Sequence, residues 1–129
     1  MEILRLEATD AELIAAADRW AALMELEDYT RAYDFTDHNP HQGWTPDLVG
    51  RVVRSYGEAQ AGQRVTVAGR PTDITQTKEV MRSDETGVDV GTIWYDLNID
   101  GLVSDLTATF DIVRVTTGLA LRLNDIHVM

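Results

Sequence analysis

Residues 88–129 read VDVGTIWYDLNIDGLVSDLTATFDIVRVTTGLALRLNDIHVM, and they contain the strongest indication of the fold. Apolar and polar residues alternate along Val90 to Ile99, Leu106 to Val115 and Leu119 to Val128, a pattern typical of half-buried strands. The pairs Asp100-Gly101 and Thr117-Gly118 separate the three segments and are typical of tight turns. The stretch therefore predicts an antiparallel meander.

Two helices are predicted before the meander. Thr9-Asp10-Ala11-Glu12 has the spacing of a capping box and precedes an apolar stripe, so the first helix is expected over residues 10–27. Thr45-Pro46-Asp47 supplies a cap, a proline at the first helical position and an acid, which predicts a second helix over residues 46–57. The chain between them is expected to be irregular, with at most a short helical turn around Arg31.

Two further strands are predicted at Arg64 to Ala68 and Asp73 to Arg82. Two helices and four to five antiparallel strands give an α+β fold, in which one domain over residues 1–129 lays its helices across one face of a curved sheet. The arrangement resembles the cystatin-like and nuclear-transport-factor-like cones. The residues expected in its core are Leu13, Trp20, Val49, Val53, Tyr95, Phe110 and Leu121.

The C-terminal strands also carry a distinctive set of residues. They are Trp94, Ser104-Asp105-Leu106-Thr107, Phe110, Leu121, Leu123 and Asp125-Ile126-His127-Val128-Met129. With this set the chain resembles an uncharacterised family of small bacterial proteins, a domain of unknown function. The resemblance implies no settled activity and no cofactor.

The composition excludes several classes of protein. The net charge is −11, and the 11 basic residues are scattered, so direct nucleic-acid binding is not expected. No apolar run approaches the roughly 18 residues of a membrane span, and the N-terminus lacks a signal-peptide layout, which predicts a cytoplasmic protein without membrane contact. The absence of cysteine removes disulfides and thiolate chemistry.

The last strand breaks its own alternation at Asp125. A β-bulge near Asn124-Asp125 would return Ile126 and Val128 to the core and turn His127 outward. A regular strand would instead point Asp125 and His127 inward, where the pair becomes a candidate acid-base element in a cone. Both alternatives are compatible with the sequence.

Other residues are candidates for binding. Tyr33, Tyr56 and Tyr95 are candidates to line a ligand pocket between the helices and the sheet. Alternation places four candidate interface residues on the opposite face of the sheet, namely Trp94, Thr107, Thr109 and Arg122. His38 and His41 flank a proline in a polar loop, and no metal or other cofactor is expected there.

These observations support two hypotheses about function. The first is an acidic protein-interaction module without enzymatic activity, of which an immunity or antitoxin-like protein masking a basic toxin is one version. Its partner is another protein or a second copy, and a dimer through the outer sheet face would cover Trp94. Within the monomer, Arg122 and the threonines would shield Trp94 instead. The second hypothesis is a small-molecule-binding or catalytic cone.

Overall fold

The computed structural model describes residues 1–56, 63–83 and 87–128, and in these ranges three helices accompany a five-stranded antiparallel sheet. The helices are α1 (Asp10–Glu25), α2 (Tyr29–Phe35) and α3 (Pro46–Arg54). The strands are β1 (Val65–Thr66), β2 (Lys78–Arg82), β3 (Asp89–Ile99), β4 (Leu102–Val115) and β5 (Gly118–Val128). The predicted α+β class is confirmed, and the sheet is open rather than closed into a barrel.

The capping signals in the sequence begin α1 and α3 as predicted. The backbone N–H of Glu12 donates to Oγ1 of Thr9 at 3.2 Å, and the Glu12 carboxylate accepts from the Thr9 backbone, which completes the capping box. Thr45 caps α3 through the backbone N–H of Leu48. α3 ends at Arg54 with Ser55 as its C-cap, earlier than the predicted end at residue 57, which itself lies outside the described ranges. No helix within those ranges is long and apolar enough to cross a membrane.

The connection between α1 and α3 is more helical than the sequence predicted. Glu27 takes a positive φ of 56° and ends the first helix, after which Asp28 caps α2 by accepting from the backbone N–H of Arg31. Only Ala32 of this seven-residue helix is buried. A helix with so short an apolar stripe has no periodic pattern, so α2 depends on its cap and on contacts with α1 and α3.

The predicted meander is confirmed. The strand order is β1-β3-β4-β5, with β2 also paired to β3. Asp100 and Gly101 take φ values of 50° and 80°, and a two-residue turn with both φ positive matches the twist of the flanking strands. The second turn falls on residues 116 and 117, because Val115 pairs with Gly118.

The two earlier strands are shorter than predicted. β1 holds only Val65 and Thr66, and residues 73–77 are not part of β2. Residues 67–77 form a covering segment that folds onto the sheet face opposite the helices, which we call the outer face. There the Asn98 side chain donates to the carbonyl of Val67 and accepts from Nε2 of Gln76, each at 2.8 Å.

The core lies between the helices and the inner face of the sheet. Trp20 of α1 meets Phe110 of β4 edge to face, with ring centroids 5.1 Å apart and planes at 84°. Every residue that the sequence placed in the core is buried, namely Leu13, Trp20, Val49, Val53, Tyr95, Phe110 and Leu121. These large side chains fill the space that the cone hypothesis reserved for a pocket.

Candidate functional site

Trp94 stands on the outer face of the sheet. It lies directly opposite Glu79 of β2 and Thr109 of β4, so the three side chains project from the same face. The indole Nε1 donates to Oδ1 of Asp96, two residues further along β3, at 2.9 Å. This hydrogen bond fixes the edge of the ring and leaves the side chain half-buried within the monomer.

Asp96 connects the outer face to the covering segment. It is only 6% exposed, and its carboxylate accepts from Nε1 of Trp94, from Oγ1 of Thr107 at 2.7 Å and from the backbone N–H of Thr77 at 2.7 Å. Three donors make burial of the carboxylate possible. No lysine, arginine or histidine in the described ranges forms an ion pair with it, so its negative charge has no counter-ion.

The covering segment and the outer face enclose an outer-face cleft of ≈ 560 Å³, a size within the range of small-ligand and side-chain binding sites. Its apolar surface comes from Ile74, Met81 and Trp94, and its threonines from both the covering segment and β4. Its charged lining residues are Glu79, Asp96 and Asp105. Among the described residues, the lining therefore has three carboxylates and no basic side chain.

An extra residue in β5 determines which face of the sheet the last side chains of the strand project from. Thr109 pairs with Asp125, whereas the next residue, Phe110, pairs with Leu123, so Asn124 is inserted as a β-bulge. Of the two alternatives that the sequence left open, the bulge is the one present.

The consequences of the bulge agree with the prediction in part. Ile126 returns to the core and is 5% exposed, and His127 lies on the outer face opposite Thr107. Val128 does not return to the core, because it lies at the end of the sheet and is 55% exposed.

Asp125 and His127 are therefore not an inward-facing acid-base element. His127 Nδ1 lies 3.1 Å from Oδ2 of Asp125, but the contact lacks hydrogen-bond geometry and this nitrogen has no other partner among the described residues. Both side chains are partly exposed, at 36% for His127 and 56% for Asp125. The cone hypothesis required His127 as a base inside the cone, and His127 is not there.

The four interface candidates share the outer face, but they differ in solvent exposure and in the partners they already bind. Thr107 is fully buried, and Thr109 is 7% exposed with an Oγ1 that has no hydrogen-bond partner in the described ranges. Arg122 donates to Oδ2 of Asp37 through Nε at 3.0 Å and Nη2 at 2.7 Å. Asp37 thus holds the guanidinium of Arg122, and Asp96 holds the indole of Trp94. The alternative in which Arg122 and the threonines shield Trp94 stays a prediction.

Tyr95 points into the core rather than into a pocket. Its hydroxyl donates to Oδ1 of Asp18 at 2.5 Å, and Nζ of Lys78 lies 4.6 Å from its ring centroid and 3.3 Å from the same Asp18 oxygen. Burial, together with the Asp18 carboxylate, strongly raises the pKa of the Tyr95 hydroxyl. The hydroxyl therefore stays protonated and serves as a donor that ties β3 to α1.

The other two tyrosines lie far apart in the fold. Tyr56, just after α3, donates to Oδ1 of Asp105 at 2.5 Å, and its pKa is raised by burial first and by that carboxylate second. Tyr33 stacks on His38 with ring centroids 3.7 Å apart, beside the edge of β5 that Asp37 bridges. The three tyrosines therefore do not line one common pocket, contrary to the prediction.

The loop with His38 and His41 wraps the edge of β5. His38 stacks on Tyr33, and the backbone N–H of His41 donates to the side chain of Asn39. In the part of the chain that the structure describes, no group of three or more His, Asp or Glu side chains is arranged to hold a metal ion.

Comparison of the chain with protein-family models, with curated proteins and with solved structures found no match. The resemblance to a family of unknown function and the likeness to the cone folds therefore stay predictions. Any proposal about function depends on the geometry of this chain alone.

Sequence reasoning identified Trp94 but missed the cleft around it. Asp96 shares the face of Trp94 by strand alternation, so the Trp-x-Asp spacing is the signal that could have indicated the indole-carboxylate bond. The covering segment has no such signal, because its residues alternate like a strand and were assigned to β2. Bonds to Asn98 and Asp96, which the sequence does not indicate, help to place it over the sheet.

Proposed function

We propose that this protein is a small acidic interaction module that binds a basic partner protein at the outer-face cleft. The observation that carries the proposal is the lining of the cleft, with three carboxylates, one tryptophan and no basic side chain. Tryptophan is enriched at the energetic centres of protein interfaces, and an unpaired acidic cleft attracts a positively charged partner.

The carboxylates differ in what they already bind. Asp96 has three donors, and Asp105 accepts from Tyr56, but Glu79 is exposed and has no ion-pair or hydrogen-bond partner among the described residues. Glu79 is therefore the acid most available to a cation from a partner. The net charge of −11 would also speed the approach of a basic protein.

A basic partner suits this surface better than a second copy of the chain. A two-fold contact through the outer face would bring Glu79, Asp105 and Asp111 near the same acids of the other molecule, and like charges oppose association. The homodimer through Trp94 stays a prediction, which light scattering on wild-type protein and on Trp94→Ala tests. The proposal includes a cytoplasmic location, and an immunity or antitoxin-like role is one version of it.

The alternative of a small-molecule-binding cone has less support. Five cavities are lined by described residues, and none of these five lies between α1 and the inner face, where Trp20 and Phe110 are packed together. His127, its candidate base, is on the other face.

A capture experiment with matched charge variants tests the proposal. Wild type, Glu79→Arg and Glu7→Arg are used as tagged baits in extract of the source cell; Glu7 is an exposed acid before α1 that does not line the cleft. We expect one basic protein to bind wild type and Glu7→Arg stoichiometrically and to be lost with Glu79→Arg. Equal capture by all three baits, or no partner for any of them, would contradict the proposal.

A further inference from the structure

β2 has a free edge that no other part of the described chain covers with backbone hydrogen bonds. The backbone N–H of Asp96 donates to the carbonyl of Thr77, and that of Ser83 donates to the carbonyl of Val90. Because backbone groups alternate in direction along an antiparallel strand, Glu79 and Met81 also direct theirs toward β3. The backbone groups of the residues that alternate with these, at positions 78, 80 and 82, point away from β3.

Three residues of β2 therefore present, on the outer edge, backbone donors and acceptors that pair with nothing in the described ranges, namely Lys78, Val80 and Arg82. An edge of this kind is a template for one more strand. Charged side chains usually discourage such pairing, but here Lys78 pairs with Asp18 and Arg82 with Asp10, both on the inner side. Both cations are therefore held against acids of α1 on the inner side and do not extend along the edge.

The same strand borders the outer-face cleft. Glu79 and Met81 alternate with the edge residues, so their side chains project onto the outer face and line the cleft. In an antiparallel pair, residues directly opposite each other project from the same face about 4.5–5.5 Å apart. A strand added beside β2 would therefore bring every second side chain next to Glu79 or Met81.

We propose that the partner protein docks by adding an extended segment antiparallel to β2, with cationic side chains at alternate positions over the outer face. The inference rests on the proposed function, because the charge of the cleft selects the partner. Residues of the segment that face the inner side form the backbone hydrogen bonds to Lys78, Val80 and Arg82. Residues that face the outer side lie opposite Glu79 and Met81, in pairs without backbone hydrogen bonds, where side chains are closest.

A second copy of the chain fits this edge less well. A two-fold pairing centred on Val80 would place Lys78 of each molecule opposite Arg82 of the other, which brings like charges together. A basic segment with small apolar residues on its inner side avoids this repulsion and supplies cations to the unpaired Glu79.

The probe for the test is a capped synthetic peptide of alternating valine and arginine, about eight residues long, the length of an ordinary strand. Two further peptides have the same sequence and differ only in methylated backbone nitrogens, either on every valine or on every arginine. Isothermal titration calorimetry measures their affinity for the wild-type protein at low and at physiological ionic strength.

The antiparallel register predicts that the two methylated peptides differ in affinity. Valine nitrogens face β2, so methylating them should weaken binding about tenfold or more, the effect of losing one or two hydrogen bonds. Arginine nitrogens face away from β2, so methylating them should change affinity less than about threefold. The protein itself is unaltered in this comparison, so misfolding cannot produce the result.

A protein variant separates this inference from the proposed function. Glu79→Gln should weaken the binding of all three peptides. Val80→Pro removes one backbone donor from the edge, so it should weaken only the unmethylated and the arginine-methylated peptides, which can pair with β2. Equal affinity of the three peptides, or no binding of the unmethylated one, would overturn strand addition, and the reverse order would overturn the antiparallel register. If capture of the partner depends on Glu79 but the three peptides bind equally, the proposed function is supported and strand addition is rejected. Self-association through β2 would appear as a wild-type dimer that Val80→Pro abolishes.

Discussion

Replacing Asp96 by alanine tests the account of the outer face most directly. The carboxylate is buried and accepts from Trp94, Thr107 and Thr77. In Asp96→Ala the Thr107 hydroxyl can turn to the carbonyl of Asp105, 3.4 Å away, but the indole N–H and the Thr77 N–H have no replacement acceptor among the described contacts. Two donors left without an acceptor, at about 1–3 kcal/mol each, predict a loss of about 2–6 kcal/mol in the free energy of unfolding.

Urea unfolding measures this loss, and thermal unfolding should show a midpoint lower by about 3 °C or more for each kcal/mol in a chain of this size. Asp73→Ala is the matched control, because Asp73 is an exposed acid of the covering segment without a hydrogen bond in the described ranges. The control should stay within about 0.5 kcal/mol of wild type. An Asp96→Ala protein as stable as the control would show that the carboxylate does not hold the covering segment, and the reasoning would be refuted.

Three further outcomes are expected. Burial and the nearby Asp89 carboxylate raise the pKa of Asp111, so the charged form of Asp111 opposes folding. Asp111→Asn should therefore raise the melting temperature at neutral pH. The gain should vanish as pH falls toward about 3.5, because protonation makes Asp111 of the wild type as neutral as the asparagine. A gain that persists in acid would contradict this. Gly101→Ala, at a φ of 80°, should cost about 1–2 kcal/mol in urea unfolding, and Gly101→Asn should cost less because asparagine tolerates positive φ. Phe110→Ala should cost about 3–5 kcal/mol by removing the ring packed on Trp20, and a loss below about 1 kcal/mol would contradict the central place of that contact.

The site was only partly predictable from the sequence. Alternation along β3 put Trp94 on the outer face, and the broken alternation at Asp125 announced a bulge as one of two alternatives. Neither pattern contains information about which distant segment covers a face. The cleft exists because Thr77 and Gln76 bond to β3 from the covering segment, and those bonds join residues about 20 positions apart.

Elements whose signals are local could be predicted from the sequence alone. The capping box at Thr9, the turn at Asp100-Gly101 and the period-two alternation of residues 90–128 each act over a few residues, so they predict α1 and the meander without knowledge of the rest. Tertiary structure decided α2, the short β1 and β2, the free edge of β2 and the outer-face cleft. These depend on which surfaces remain uncovered once the core around Trp20 has formed, and burial of a surface is a property of the whole fold.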